Sequence, residues 1–422
     1  MKTNDLSRRA FVTRLASTCL GVTVAPAFAA PAAKAKAQRV IYLYLQGAMS
    51  HLDTFDLKPD NKEVQGPTTA IKTSADGVII TDKLPQLAKH MHHMALIRSM
   101  NHKTAVHEIG QYLVHTGFKK QNGIVHPTLG AWNARLGTHT NPSLPPYIYL
   151  GGFAQHPGCG FLDARYGPVP LGSAEQGLPN SHLPASRTQK ELTSGLDLTA
   201  SLDAEFSSAY NLRDIKAYTD LYTDAVRLMS SKDLDAFDIS KEPAAAHENY
   251  GNTKVGKGLL LARRLIERGA SYVEIEHGNW DTHLKNHEGV ARLCGELDPA
   301  LASLLNDLQQ RGLLDSTLVV LASEFGRTPV LDETGGRDHH SLAFTCALAG
   351  AGIKGGQAYG KSDERAHEVA EDPVSPLDFN ATIAHCLGLP QDKFLAPFPG
   401  GQEFGPFGKK TGEKGKVISA IL

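Results

Sequence analysis

"STLVVLASEFGRTP", residues 316–329, decides the fold. It opens as an apolar, β-branched run of strand length and turns polar at Ser323, Glu324 and Arg327. Such a run reads as a buried strand with its chemistry at the carboxyl end. The same arrangement recurs. "RVIYLYLQG", residues 39–47, leads into Ser50, His51, Asp53 and Asp56, and "SYVEIE", residues 271–276, leads into "HGNWDTHLKNH". Residues 94–100 and 146–152 read as further strands, and "LAFTCALAG", residues 342–350, follows "GGRDHHS". Leu259, Leu260, Leu261, Leu265 and Ile266 suit a helix closed by Gly269. A second helix spans 289–314, with apolar positions at Leu293, Leu297, Leu301, Leu304, Leu305 and Leu308, and a third spans 376–389. Strands alternating with helices imply an α/β fold with a largely parallel sheet. In such sheets functional groups gather beyond the strands' carboxyl ends.

The N-terminus bears on location. "SRRAFVTRLASTCLGVTVAPAFAAPA" pairs Arg8 with Arg9 and follows them with an apolar stretch and the small-x-small pattern Ala27-Phe28-Ala29. Residues 1–29 therefore read as a twin-arginine export signal, handled by the Tat machinery, which delivers folded proteins to the periplasm or beyond. Residues 30–38 read as a linker, and 39–422 as one domain with a loop-rich, partly helical elaboration around 160–250. Removing the signal takes four cations and one acid from a net charge of −1 and leaves −4. With no basic stripe, nucleic acid is not an expected partner. No later stretch is long and apolar enough to span a membrane. Cys159, Cys294, Cys346 and Cys386 are widely spaced without a CxxC, which leaves one disulfide or four free thiols as alternatives.

None of the nineteen histidines lies in the signal, and many stand beside aspartate or glycine, which favours metal or acid–base chemistry. Asp281, His283 and His287 follow one strand, and Glu324 and Arg327 follow another. Asp338, His339 and His340 precede a third, while Ser50, His51 and Asp53 follow the first. Each group alone also reads as a cap, turn or structural ion pair. Together, carboxylates and imidazoles from several strand ends suit one or more divalent cations, with zinc, calcium, manganese and magnesium as candidates.

The motifs "SHLDTFDLKPD", "HEIGQYLVHTG", "HPTLGAW", "NWDTH", "LASEFGRTP", "GGRDHH" and "LAGAGIKGG" carry a resemblance. The chain resembles the exported bacterial proteins grouped as domain of unknown function 1501, distant relatives of sulfatases and alkaline phosphatases. The resemblance implies an alkaline-phosphatase-like three-layer α/β/α sandwich. It also implies a metal set drawn from Asp281, His283, Glu324, Asp338 and His339. In the superfamily the first strand ends in a metal-binding aspartate. Here Gln46-Gly47 stands in that place, so Asp53 or His51 would have to substitute. Where sulfatases carry their nucleophile, the matching position holds His107. Histidine serves as phosphoryl acceptor, general base or ligand.

Two functional expectations follow. The first is an exported, metal-dependent hydrolase of a small-molecule or saccharide phosphate or sulfate ester. In it Arg327 grips the anion by bidentate hydrogen bonds, and His340, His51 and Ser50 face substrate. The second is a non-catalytic exported protein that binds a ligand or polysaccharide in a degenerate site.

Overall fold

The computed structural model describes residues 36–422 except 122, 153–154, 179–180, 182–185, 187, 189, 196, 199–200, 202–226 and 230. The proposed export signal, with Cys19, and part of the 160–250 elaboration lie outside the described residues.

Eight strands form the main sheet: β1 (Arg39–Leu45), β2 (Met94–Met100), β3 (Tyr147–Leu150), β4 (Val169–Leu171), β5 (Tyr272–His277), β6 (Thr317–Ala322), β9 (Phe344–Gly350) and β10 (Gln357–Tyr359). Between β6 and β9 the chain makes a small hairpin of β7 (Gly326–Arg327) and β8 (His339–His340). The sheet order is β10-β2-β9-β6-β1-β5-β3-β4. Strand β1 lies at the centre, parallel to β5 and β6, with Leu45 opposite His277 and Tyr44 opposite Ala322. Only β9 runs against the others in this sheet, pairing antiparallel with both β2 and β6.

Strand β1 shows why the sheet is covered on both faces. Successive side chains of a strand point to opposite sides. Ile41, Leu43 and Leu45 enter one core cluster, and Val40, Tyr42 and Tyr44 enter the other. The first cluster is closed by α3 (Lys254–Glu267) and α4 (Asn286–Gln310). The second is closed by α1 (His107–Thr116), α2 (Leu129–Leu136) and α5 (Pro376–Cys386). The result is a three-layer α/β/α sandwich with a mostly parallel sheet. All six leucines predicted for the 289–314 helix are buried. Strands β4 and β10, three residues each at the two edges, are too short to leave a sequence pattern. The four described cysteines are free thiols.

Parallel strands put their carboxyl ends at one edge of the sheet. Residues 46–56, 101–107, 278–287 and 323–327 leave β1, β2, β5 and β6 at that edge, and antiparallel β9 begins there.

Candidate metal centre

Asp281 is the hub of this edge. Its Oδ1 lies 3.1 Å from His283 Nε2, 3.2 Å from His339 Nε2 and 3.4 Å from His107 Nε2. His283 Nε2 and His339 Nε2 are themselves only 2.9 Å apart. Ligand atoms of His107, Asp281 and His339 all fall within 4.8 Å of one another.

The outer nitrogens settle the tautomers. His107 Nδ1 donates to Glu324 Oε1 at 2.7 Å, His283 Nδ1 to Asp338 Oδ1 at 3.1 Å, and His339 Nδ1 to the Ala105 carbonyl at 2.8 Å. A carbonyl or ionised carboxylate only accepts, so each Nδ1 holds the proton. In the neutral form of each ring, Nε2 is then the nitrogen left to ligate a metal beside Asp281. His107 Nε2 is buried and makes no hydrogen bond. Metal-binding histidines are oriented in this way, through an outer-nitrogen hydrogen bond to a carboxylate or carbonyl. The donor set therefore fits a divalent cation.

The electrostatics differ from group to group. Burial alone would raise the Asp281 carboxyl, but its ion pair with Arg327 and the nearby imidazoles hold it down at about 2, so it is ionised. Burial lowers the His339 imidazole and favours its neutral, ligating form. Burial works the same way on His107, but Glu324 outweighs it and makes this imidazole more basic.

Backbone geometry explains the assembly. Arg327 pairs with His339 across the β7–β8 hairpin, so both side chains emerge on one face and reach Asp281. His340, the next residue, is sent the other way; its Nε2 meets the His367 carbonyl and its ring lies 4.8 Å from that of His367. Gly47 has φ +108°, and a Cβ there would sit 2.6 Å from the Asp281 nitrogen. Its N–H donates to Glu324 Oε1 at 2.8 Å, and its carbonyl accepts from Arg327.

Several expected site residues hold other positions. The Glu324 carboxylate is shared among His107, the Gly47 amide and the Tyr44 hydroxyl (2.9 Å), so it orients His107. Arg327 is fully buried, and its donors are taken by Ala48 O, Arg337 O, Gly47 O and Asp281. The bidentate grip on substrate expected of it is replaced by a grip on Asp281. Asp53 forms a separate buried network with Ser50 (2.6 Å), Asn286 (2.7 Å), Thr68 (2.9 Å) and the Arg337 guanidinium (2.9 Å). Burial would raise this carboxyl, but His287 and Arg337 hold it well below the usual range. His51 is buried against the Ala366 carbonyl at 3.0 Å, and burial pushes it down to about 4. Neither Asp53 nor His51 fills the place vacated at Gln46-Gly47.

Tyr44, Gly47, Ala105 and Arg337 escaped sequence reasoning. Only Gly47 had a signal, a glycine directly after the central strand. A second buried group, His115, His156 and Glu274, also went unread. His115 Nε2 lies 2.8 Å and His156 Nε2 3.3 Å from Glu274 Oε1. The Gly158 amide donates to His156 Nδ1, which leaves the proton on Nε2, so that nitrogen donates to the carboxylate and is not free to ligate.

Among solved structures, a sulfatase from Pseudoalteromonas sp. is 13% identical, with 85% of this chain and 69% of that one covered, at a TM-score of 0.38. The lipoteichoic acid synthase LtaP from Listeria monocytogenes is 10% identical, with 85% and 74% covered, at 0.37. The C-terminal periplasmic domain of EcEptC from Escherichia coli, in complex with Zn, is 8% identical, with 90% and 95% covered, at 0.39. No curated protein matches the chain. The family described as "Protein of unknown function (DUF1501)" matches residues 37–422, motifs and sheet included, and the chain belongs to that family.

Proposed function

We propose that the protein is an exported, metal-dependent hydrolase of phosphate or sulfate esters. One observation carries the reading: three imidazoles, each hydrogen-bonded through Nδ1, converge their Nε2 atoms on one ionised carboxylate. His107, Asp281 and His339 would hold the cation, with His283 beside them. A set rich in imidazole with one carboxylate favours zinc over calcium, magnesium and manganese, which prefer oxygen ligands. Bound there, a divalent cation supplies Lewis-acid polarisation of the ester and acidifies a water. Glu324 keeps His107 in its tautomer, and Arg327 keeps Asp281 ionised and aimed. Because His107 stands at the nucleophile position, hydrolysis in this reading uses water and forms no Ser, Thr or Cys ester. Asp338 fixes His283 from the solvent side.

The test is turnover of aryl phosphate and aryl sulfate esters with zinc, manganese, magnesium or calcium. The reading expects hydrolysis with zinc above all, lost in His339→Ala and Asp281→Ala. A second reading, an exported protein that binds a ligand or polysaccharide without turnover, is favoured by Gln46-Gly47 where the superfamily has an aspartate. Metal uptake with saturable ester or saccharide binding, but no hydrolysis under any of these metals, would select it.

A further inference from the structure

Isolated apolar side chains on a surface need no explanation, but a group of them around one site does. Eight large apolar residues are exposed among the described residues: Val106, Ile109, Val125, Leu198, Leu284, Val330, Leu342 and Phe398. Five of these eight lie within three positions of His107, His283, Arg327 or His339. Val106 and Ile109 flank His107, Leu284 follows His283, Val330 follows Arg327, and Leu342 follows His339. Leu284 is 68% exposed and Val106 is 52% exposed.

Hydrogen bonds tie these segments to one another. His339 Nδ1 donates to the Ala105 carbonyl at 2.8 Å, which fixes the 105–106 backbone on the cluster. The His102 amide donates to the Ser341 carbonyl at 2.9 Å, which sets the residue before Leu342 beside the same loop. A Cβ on Gly336 would meet the His283 carbonyl at 1.9 Å and the Leu284 nitrogen at 3.0 Å, so that segment packs directly on the β7–β8 loop. Four chain segments that carry the polar cluster thus also carry exposed apolar side chains, an apolar border in sequence and backbone. Ligand sites commonly combine an apolar wall with a few polar groups that fix orientation.

We infer that the ester taken by this site carries an apolar alcohol portion, alkyl or aryl, seated on that border while its anionic head meets the cluster. The inference rests on the ester-hydrolase reading and adds the substrate class. A head-group site beside an apolar border complements an amphiphile, whereas a free sugar ester would leave these five side chains in water.

Binding of methyl-, octyl- and phenylphosphonate, and of the matching sulfonates, to the zinc-loaded chain by calorimetry tests it without turnover. The octyl or phenyl ligand is expected to bind at least about tenfold tighter than the methyl ligand. Whichever gains more identifies a chain or a ring. In Leu284→Ser/Leu342→Ser, and independently in Val106→Ser/Ile109→Ser, that advantage is expected to shrink at least about threefold with methyl binding unchanged. All of these residues are exposed, so folding is not at stake. Methyl binding with no gain for octyl or phenyl overturns the apolar-alcohol inference and leaves the ester reading standing. No binding of any phosphonate or sulfonate overturns both. Concentration-dependent self-association abolished by the serine variants, again without an octyl or phenyl gain, would assign the border to a second copy instead.

Discussion

At the scale of single residues, buried charge is tolerated only where its partners are fixed. Glu324 holds His107 through one bond, so Glu324→Gln leaves the fold intact but loosens the ring. Loss of such a supporting carboxylate is expected to cost about 10- to 100-fold in metal affinity, read by competition with a chromophoric chelator. The His115–Glu274 pair sets a stability test. Burial opposes charge on His115, but the Glu274 carboxylate outweighs it and raises the imidazole. Removing one partner strands the other, so Glu274→Leu is expected to lose about 3–5 kcal/mol in urea unfolding. His115→Leu/Glu274→Leu should recover much of that loss, and a double variant no better than the single would refute the pairing. His126 gives a pH dependence. It is buried, stacks on Phe118 at 4.7 Å, and is pushed down to about 4 by burial and then by Lys409. The unfolded chain takes up this proton near pH 6.5, and the folded chain does so only near 4. Stability is therefore whole above pH 6.5 and falls as pH drops through that window. The urea midpoint of the wild type should fall between pH 7 and pH 5, with a shallower slope in His126→Phe.

At the scale of elements, the site depends on a close approach of backbones. Gly47 is the point where the loop after β1 touches the loop after β5, and its φ of +108° suits glycine alone. Gly47→Ala is expected to cost about 1–3 kcal/mol in strain and to displace Asp281. The check is weakened metal binding in a variant whose far-ultraviolet circular dichroism is unchanged. The strands were legible because their residues are apolar and β-branched, and their carboxyl ends announced the site. "MALIRSM" coincides with β2, and "RVIYLYL" with β1. The direction of β9 was not legible, because a short apolar run reads alike parallel or antiparallel. The partition of the site was not legible either. That Arg327 and His339 share a face depends on hairpin register, and that Asp53 belongs with Arg337 depends on a contact 284 residues apart in the chain. Spacing cannot distinguish Glu324 as an orienting group from Glu324 as a ligand, since both demand a carboxylate at a strand end.

At the scale of the whole molecule, the sandwich brings loops from β1, β2, β5, β6 and the β7–β8 hairpin to one edge. Export in a folded state, expected from Arg8 and Arg9, suits a cation loaded before transport. If the cation is held by Asp281, His107 and His339, its binding free energy is also folding free energy. Zinc at a hundred times its dissociation constant should then add about 2.7 kcal/mol of stability, and a chelator should remove it. The most direct measurement is elemental analysis of chelator-free protein, with zinc titrated into the wild type, Asp281→Ala and His339→Ala. The predicted result is about one tightly held equivalent in the wild type, with a raised unfolding temperature, and loss of both in each variant. A wild type that takes up no metal and matches both variants in unfolding temperature with and without zinc would contradict it.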